Sequence, residues 1–182
     1  MTFEELQREL EELHPAGFGW ALHCCDWDRE EARDVLQAAY LKVLDGRARF
    51  AGRSAVRTWF FGIVRNTAAE RRRAGRLRAA LSLRLLRGAV PAGVVEPPDR
   101  VREDAEMRAE LRRYLGRLSR RQRDLLHLVF YEDMTIEDAA HVLGLSVGSA
   151  RTHYARGKRR LKQWLTGTEE ATWTGNTAIS RS

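Results

Sequence analysis

Apolar residues fall in helical stripes along most of the chain. Phe3, Leu6, Leu10 and Leu13 recur at i, i+3, i+7 and i+10 between acidic residues, which predicts an amphipathic helix over residues 3–13. His14-Pro15 ends or bends it, because the residue before a proline avoids the helical region. A short apolar stretch, Phe18 to Cys25, predicts a second helix, weakened by Gly17 and Gly19. Residues 28–45 carry the clearest stripe of the first half: Ala32, Val35, Leu36, Ala39 and Val43. Asp28 is their N-cap, Glu31 stands at the capping-box position, and Gly46 closes the helix. From Ser54, read as a cap, a further helix runs to about Arg73. It turns Val56, Trp59, Phe60, Ile63, Val64 and Thr67 inward and leaves Arg57, Phe61, Arg65, Asn66 and Arg71, Arg72 and Arg73 on other faces.

The second half repeats the pattern. Residues 104–117 predict a helix with Ala105, Met107, Leu111, Tyr114 and Leu115 inward, broken at Leu118-Ser119. Ser119 caps the next helix, with Gln122 at the capping-box position and Leu125, Leu126, Val129 and Phe130 inward. Thr135 to Leu161 then reads as two helices around a tight turn. Ile136, Ala139, Ala140 and Leu143 line the first, Thr135 and Asp138 begin it, and Gly144 stops it. Ser146 caps the second, whose inner face is Val147, Ala150, Tyr154, Leu161 and Leu165. Its outer face offers Ser149, Arg151, Thr152, His153 and Arg156, followed by Lys158, Arg159, Arg160 and Lys162. No acidic residue lies between Ser146 and Leu165. A helix-turn-helix with a basic second helix has the shape that enters a major groove. A surface hairpin with a solvated basic face is the plainer alternative.

These stripes predict an all-α fold of two small helical domains joined by a flexible linker. The boundaries fall at 1–75, a linker at 76–103, 104–166, and a tail at 167–182 that reads as disordered. Gly88, Pro91, Gly93, Pro97 and Pro98 punctuate the linker. Its Leu81, Leu83, Leu85, Leu86, Val90, Val94 and Val95 imply that it packs on something.

Composition narrows the partner. The 182 residues carry a formal net charge of +7, and the sequence pI is near 10.1, which favours a polyanion. No apolar run approaches the roughly 18–20 residues that span a bilayer, so no membrane insertion is expected. The acidic start does not resemble a secretory signal. Cys24 and Cys25 are adjacent and read as buried or partly buried thiols, with no disulfide framework. His23 beside them lacks two further metal ligands at sensible spacing. No phosphate loop, metal cluster or nucleophile motif is present, so neither cofactor nor enzyme activity is expected, and the chain reads as cytoplasmic. The helix over 54–73 mixes arginines with aromatics, which suits single-stranded nucleic acid. Trp59 and Phe60 read as core; Phe50, in the preceding loop, could stack or pack. Leu41 beside Asp34 and Gln37 hints that another protein covers that face.

Three stretches, in this order, resemble a bacterial sigma factor of the extracytoplasmic-function group. They are DVLQAAYLKVL (34–44), FAGRSAVRTWFFGIVRNTAAERRR (50–73) and LSRRQRDLLHLVFYEDMTIEDAAHVLGLSVGSARTHYARGKRRL (118–161). The resemblance implies that core RNA polymerase and promoter DNA are the partners, with an anti-sigma factor as a further one. Asp34, Gln37 and Leu41 would face polymerase. Phe50, Arg53, Ser54, Arg57, Arg65, Asn66, Arg71, Arg72 and Arg73 would meet the opened minus-10 strand, with Asn66 facing a flipped base. Ser149, Arg151, Thr152, His153, Arg156, Lys158 and Arg159 would meet the minus-35 duplex. Two positions depart from the family's pattern: Ala38, where an acid is usual, and His153, where arginine is common. The competing reading is an autonomous helix-turn-helix regulator with an N-terminal sensing or dimerisation domain.

Overall fold

The computed structural model describes residues 2–85 and 114–166, with side chains left aside for 81–85 and Leu165. The tail, most of the linker and most of the helix expected over 104–117 lie outside the described residues. Every described element is helical: α1 (Phe3–Glu12), α2 (His14–Cys24), α3 (Arg29–Leu44), α4 (Val56–Leu85), one turn at 114–117, α5 (Arg120–Leu126), a π turn (His127–Tyr131), α6 (Ile136–Leu143) and α7 (Val147–Leu165). Helices α1–α4 form an N-terminal unit and α5–α7 a C-terminal one.

The caps explain most boundaries. Thr2 and Ser119 each make a reciprocal capping box, with Glu5 and Gln122. Asp28 accepts from the amides of Glu30 and Glu31, and Ser146 from that of Ser149. Thr135 accepts from the Asp138 amide, but the Asp138 carboxylate turns back to the Thr135 hydroxyl at 2.6 Å instead of completing a box. Gly144 ends α6 at φ 58°, a left-handed conformation that glycine adopts without strain. Pro15 sits in the first turn of α2, where its missing N–H costs nothing.

Two helices depart from their sequence pattern. Ser54 does not cap α4. The Ala55 carbonyl takes the first helical bond, from the Trp59 amide at 3.1 Å, and the Ser54 hydroxyl donates to that same carbonyl. At its far end α4 runs past Arg73 to Leu85, carried by alanine, leucine and arginine, with exposed space around Gly75. In the π turn, the Glu132 amide reaches back five residues to the His127 carbonyl at 3.2 Å. That wider turn shifts the register. Leu128 becomes fully buried, and Phe130, expected inside, is 56% exposed.

The stripe of α3 is inward as its spacing requires: Ala32, Val35, Leu36, Ala39 and Val43 are all buried. Trp20 and Phe60 fill the centre of the N-terminal unit. A Cβ on Gly17 would come within 3.1 Å of the Phe60 ring, so glycine sets how closely α2 approaches α4. The same hydrophobic core continues into the C-terminal unit through Leu125, Leu128, Met134, Ala139, Ala140 and Leu143. A second small cluster, Leu118, Leu126 and Trp164, closes α7 onto α5. The two units therefore pack face to face. Phe61, assigned by periodicity to an outer face, is fully buried because the C-terminal unit covers a second side of α4.

Candidate nucleic-acid interface

Helix α7 begins at a serine cap and ends near Trp164, 19 residues or about 28 Å long. Its inner positions are Ala150, half-buried Tyr154, and Gly157 and Trp164, the last two beyond the sequence-based set. Ser149, Arg151, Thr152, Arg156, Lys158 and Arg159 are all exposed, and His153 is half-buried. Ser149, Thr152, His153 and Arg156 stand at i, i+3, i+4 and i+7, one face of the helix. Arg151 pairs with Glu137 of α6 at 2.7 Å, and this carboxyl is held below its usual value by its own backbone amide and by Arg151. Thr152 donates to the Gly148 carbonyl, and the Ser146 and Ser149 hydroxyls bond each other.

The residues expected to meet an opened strand divide into two sets. Asn66, Arg53 and Arg73 are exposed, and Arg65, Ser54 and Phe50 are half-buried. Asn66 and Arg73 stand seven residues apart, on one face of α4. Arg65 Nη1 donates to Asn66 Oδ1 at 3.4 Å. Phe50 packs edge-on against Trp59, ring centroids 5.2 Å apart, so packing orders the loop before α4.

Arg57, Arg71 and Arg72 are instead engaged by protein groups. Arg71 forks between Glu31 (2.8 and 3.1 Å) and Asp34 (2.8 Å), tying α4 to α3. Arg72 donates to the Cys24 carbonyl at 2.6 Å, which Arg120 of α5 also reaches. Burial, and then Arg120, push the Arg72 guanidinium below its ordinary value. Arg57 lies over the Phe61 ring and pairs with Glu132 of the C-terminal unit.

Asp34, Gln37 and Leu41 share one exposed face of α3, with Leu41 half exposed. Leu44 extends this face beside a groove lined by Phe3, Leu6, Leu10, Tyr40 and Val43. The residues of the joint had no sequence signal. His23 meets Asp124 at 3.0 Å across 101 residues, Thr58 donates to Asp138 across 80, and the His23 and His127 rings stack at 4.2 Å. Burial alone would raise the Glu132 carboxyl, but His127 and Arg57 reverse this and hold it below its ordinary value.

Burial raises both thiols, Cys24 well above its ordinary value and Cys25 to about 11, so neither is an activated nucleophile. Among the described residues no three His, Cys, Asp or Glu side chains converge as a metal site, and no helix is long and apolar enough to cross a membrane.

Residues 10–78 match the family described as Sigma-70 region 2, and residues 108–161 match Sigma-70, region 4. The probable RNA polymerase sigma-C factor of Mycobacterium bovis is 32% identical over 134 residues, 74% of this chain and 70% of that protein. The RNA polymerase sigma-H factor of Pseudomonas aeruginosa is 28% identical, over 76% of this chain and 75% of that protein. Among solved structures, the sigma factor RpoE in complex with the anti-sigma factor NepR, from Bartonella quintana, superposes with a TM-score of 0.68. It is 23% identical, over 90% of this chain and 98% of that one. CnrH in complex with the cytosolic domain of CnrY gives 0.59 at 20% identity, over 87% and 86%.

Proposed function

The chain belongs to the sigma-70 family, in its extracytoplasmic-function group, and on that premise we propose a division of labour between its two units. It is an alternative sigma factor: it binds core RNA polymerase and directs promoter recognition and opening in transcription initiation. In the proposed division, the loop at Phe50–Ser54 and the Asn66 face of α4 receive the opened minus-10 strand. The amide of Asn66 can read a base edge as donor and acceptor together. Arg53, Arg65 and Arg73 hold phosphates, which position the strand without specifying it. Arg57, Arg71 and Arg72 join them on leaving their protein partners. The outer face of α7 enters the minus-35 major groove, with Ser149, Arg151, Thr152 and His153 towards bases and Arg156, Lys158 and Arg159 towards the backbone. Asp34, Gln37 and Leu41 on α3 face polymerase. The protein acts by binding, with catalysis left to polymerase, and it works in the cytoplasm. The complexes of RpoE with NepR and of CnrH with CnrY support an anti-sigma factor as a further partner.

One observation carries this reading. A single chain presents, in the order of sigma regions 2 and 4, an exposed asparagine flanked by arginines on α4 and then an acid-free basic helix, α7. Run-off transcription with core polymerase on genomic templates tests it. Specific transcripts that require this chain are expected. Tight sequence-specific binding to duplex by the chain alone, with no transcripts, would favour the autonomous regulator instead.

A further inference from the structure

The joint between the two units buries an unusual set of titratable groups. From α2, Trp20 and His23 face it. The indole stacks on both His23 (5.2 Å) and His127 (5.4 Å), and its N–H is spent on the Phe61 carbonyl. From α5 come Asp124, buried and 3.0 Å from His23 Nε2, and Arg123, which reaches Asp26 at 3.6 Å. The π turn brings His127, stacked on His23 at 4.2 Å and on Tyr131 at 5.0 Å. Glu132 follows, buried, with one oxygen on Arg57 of α4 and the other 3.4 Å from His127 Nε2.

Both buried carboxylates already have partners: Glu132 has its cation in Arg57, and Asp124 has His23 Nε2 at 3.0 Å, while Arg120 and Arg123 both reach Asp26. An imidazolium at His23 would be held against the Trp20 and His127 rings in a site from which water is largely excluded, where a charge is costly. We propose that this joint is a proton-sensitive latch: it holds the units together while the His23 ring, stacked against Trp20 and His127, is uncharged, and it releases the C-terminal unit when that ring takes up a proton.

The balance of effects on His23 agrees with the geometry. Burial lowers its value most. The hydrogen bond to Asp124 pulls it back up, and His127 lowers it again, leaving it below the ordinary 6.5. Once the units part, His23 regains a value near 6.5. The docked form therefore excludes a proton that the parted form takes up. Docking is fully favoured above about pH 6.5 and weakens as pH falls below it, the parted population rising up to about tenfold per pH unit for each excluded proton. Parting frees Arg57 and uncovers Phe61 and Thr58 on α4.

Small-angle scattering of the full chain between about pH 7.5 and 5.5, with circular dichroism on the same samples, tests the latch. The radius of gyration should rise on acidification while helical content stays constant, and the His23 ring should titrate below the ordinary histidine value by NMR. The double variant His23→Gln/His127→Gln, whose amide at 23 can still bond Asp124 and whose amide at 127 still faces Glu132, should stay compact throughout. Should that variant fail to fold, Glu132→Gln serves instead: loss of the nearby negative charge should move the opening to higher pH. A wild-type radius that ignores pH over this range overturns the latch, as does the same acid response in the double variant or an unmoved midpoint in Glu132→Gln. None of these measurements needs polymerase or promoter, so their failure leaves the sigma-factor assignment untouched.

Discussion

The guanidinium of Arg57, on α4, meets the carboxylate of Glu132 across 75 residues of chain. Arg57 remains about one-third exposed, whereas Glu132 is 3% exposed. An arginine proposed above to meet promoter DNA is thus paired with a carboxylate from the other half of the same molecule. One guanidinium nitrogen donates to one carboxylate oxygen, a charge-assisted contact of the kind a phosphate oxygen could also make.

Glu132→Ala should lower stability by about 1–3 kcal/mol, the range for hydrogen bonds to charged groups, since Arg57 can turn to water once released. Urea unfolding measures this. An unchanged midpoint would mean that the pair adds nothing beyond the apolar contact around it.

The same carboxylate gives a pH signature distinct from that of the histidines. Its folded value lies below the ordinary 4.5, so its stabilisation is complete above that value and lost as pH falls through the folded one. Thermal melts of wild type and Glu132→Gln should differ near neutrality and converge at more acid pH. Parallel curves down to about pH 3 would contradict the assignment.

Gly17→Ala sets two effects against each other. Alanine favours a helix over glycine by about 1 kcal/mol. Its Cβ, however, would press to 3.1 Å on the ring of Phe60, which is fully buried and has no room to yield. Overpacking of this kind costs about 1–3 kcal/mol, so a net loss near 1 kcal/mol is expected in chemical denaturation. A stabilised variant would show that α2 and α4 can slide apart.

Asn66→Ala should abolish transcription from the chain's own promoters and leave binding to core polymerase intact. Asn66 is exposed on α4, so its loss should not disturb the fold. Co-purification with core enzyme separates the two effects; loss of core binding in this variant would remove Asn66 from the base-reading role.

Arg156→Ala should weaken minus-35 binding about equally across sequences and reduce the slope of log affinity against log salt by about one, the mark of a phosphate contact. Titrations of the holoenzyme at several salt concentrations measure it. A change in sequence preference instead would move Arg156 to the base-reading set.

Local features of the fold were legible because they depend on neighbours in sequence. The buried stripe of α3, the caps at Asp28, Ser119, Thr135 and Ser146, and the left-handed Gly144 each involve residues within about one or two turns, where a 3.6-residue period carries the information. The exposed face of α7 was legible for the same reason. Tertiary structure decided what periodicity cannot hold. A stripe says which face is apolar but not what covers the face beside it, so Phe61 looked exposed until the C-terminal unit closed over it. The π turn moved Phe130 out and Leu128 in, since one wider turn rotates every later side chain. The engagement of Arg57, Arg71 and Arg72 and the His23–His127 stack join residues 37 to 104 positions apart. Such pairs are chosen by complementary shape and charge between finished helices, which only the assembled molecule brings together.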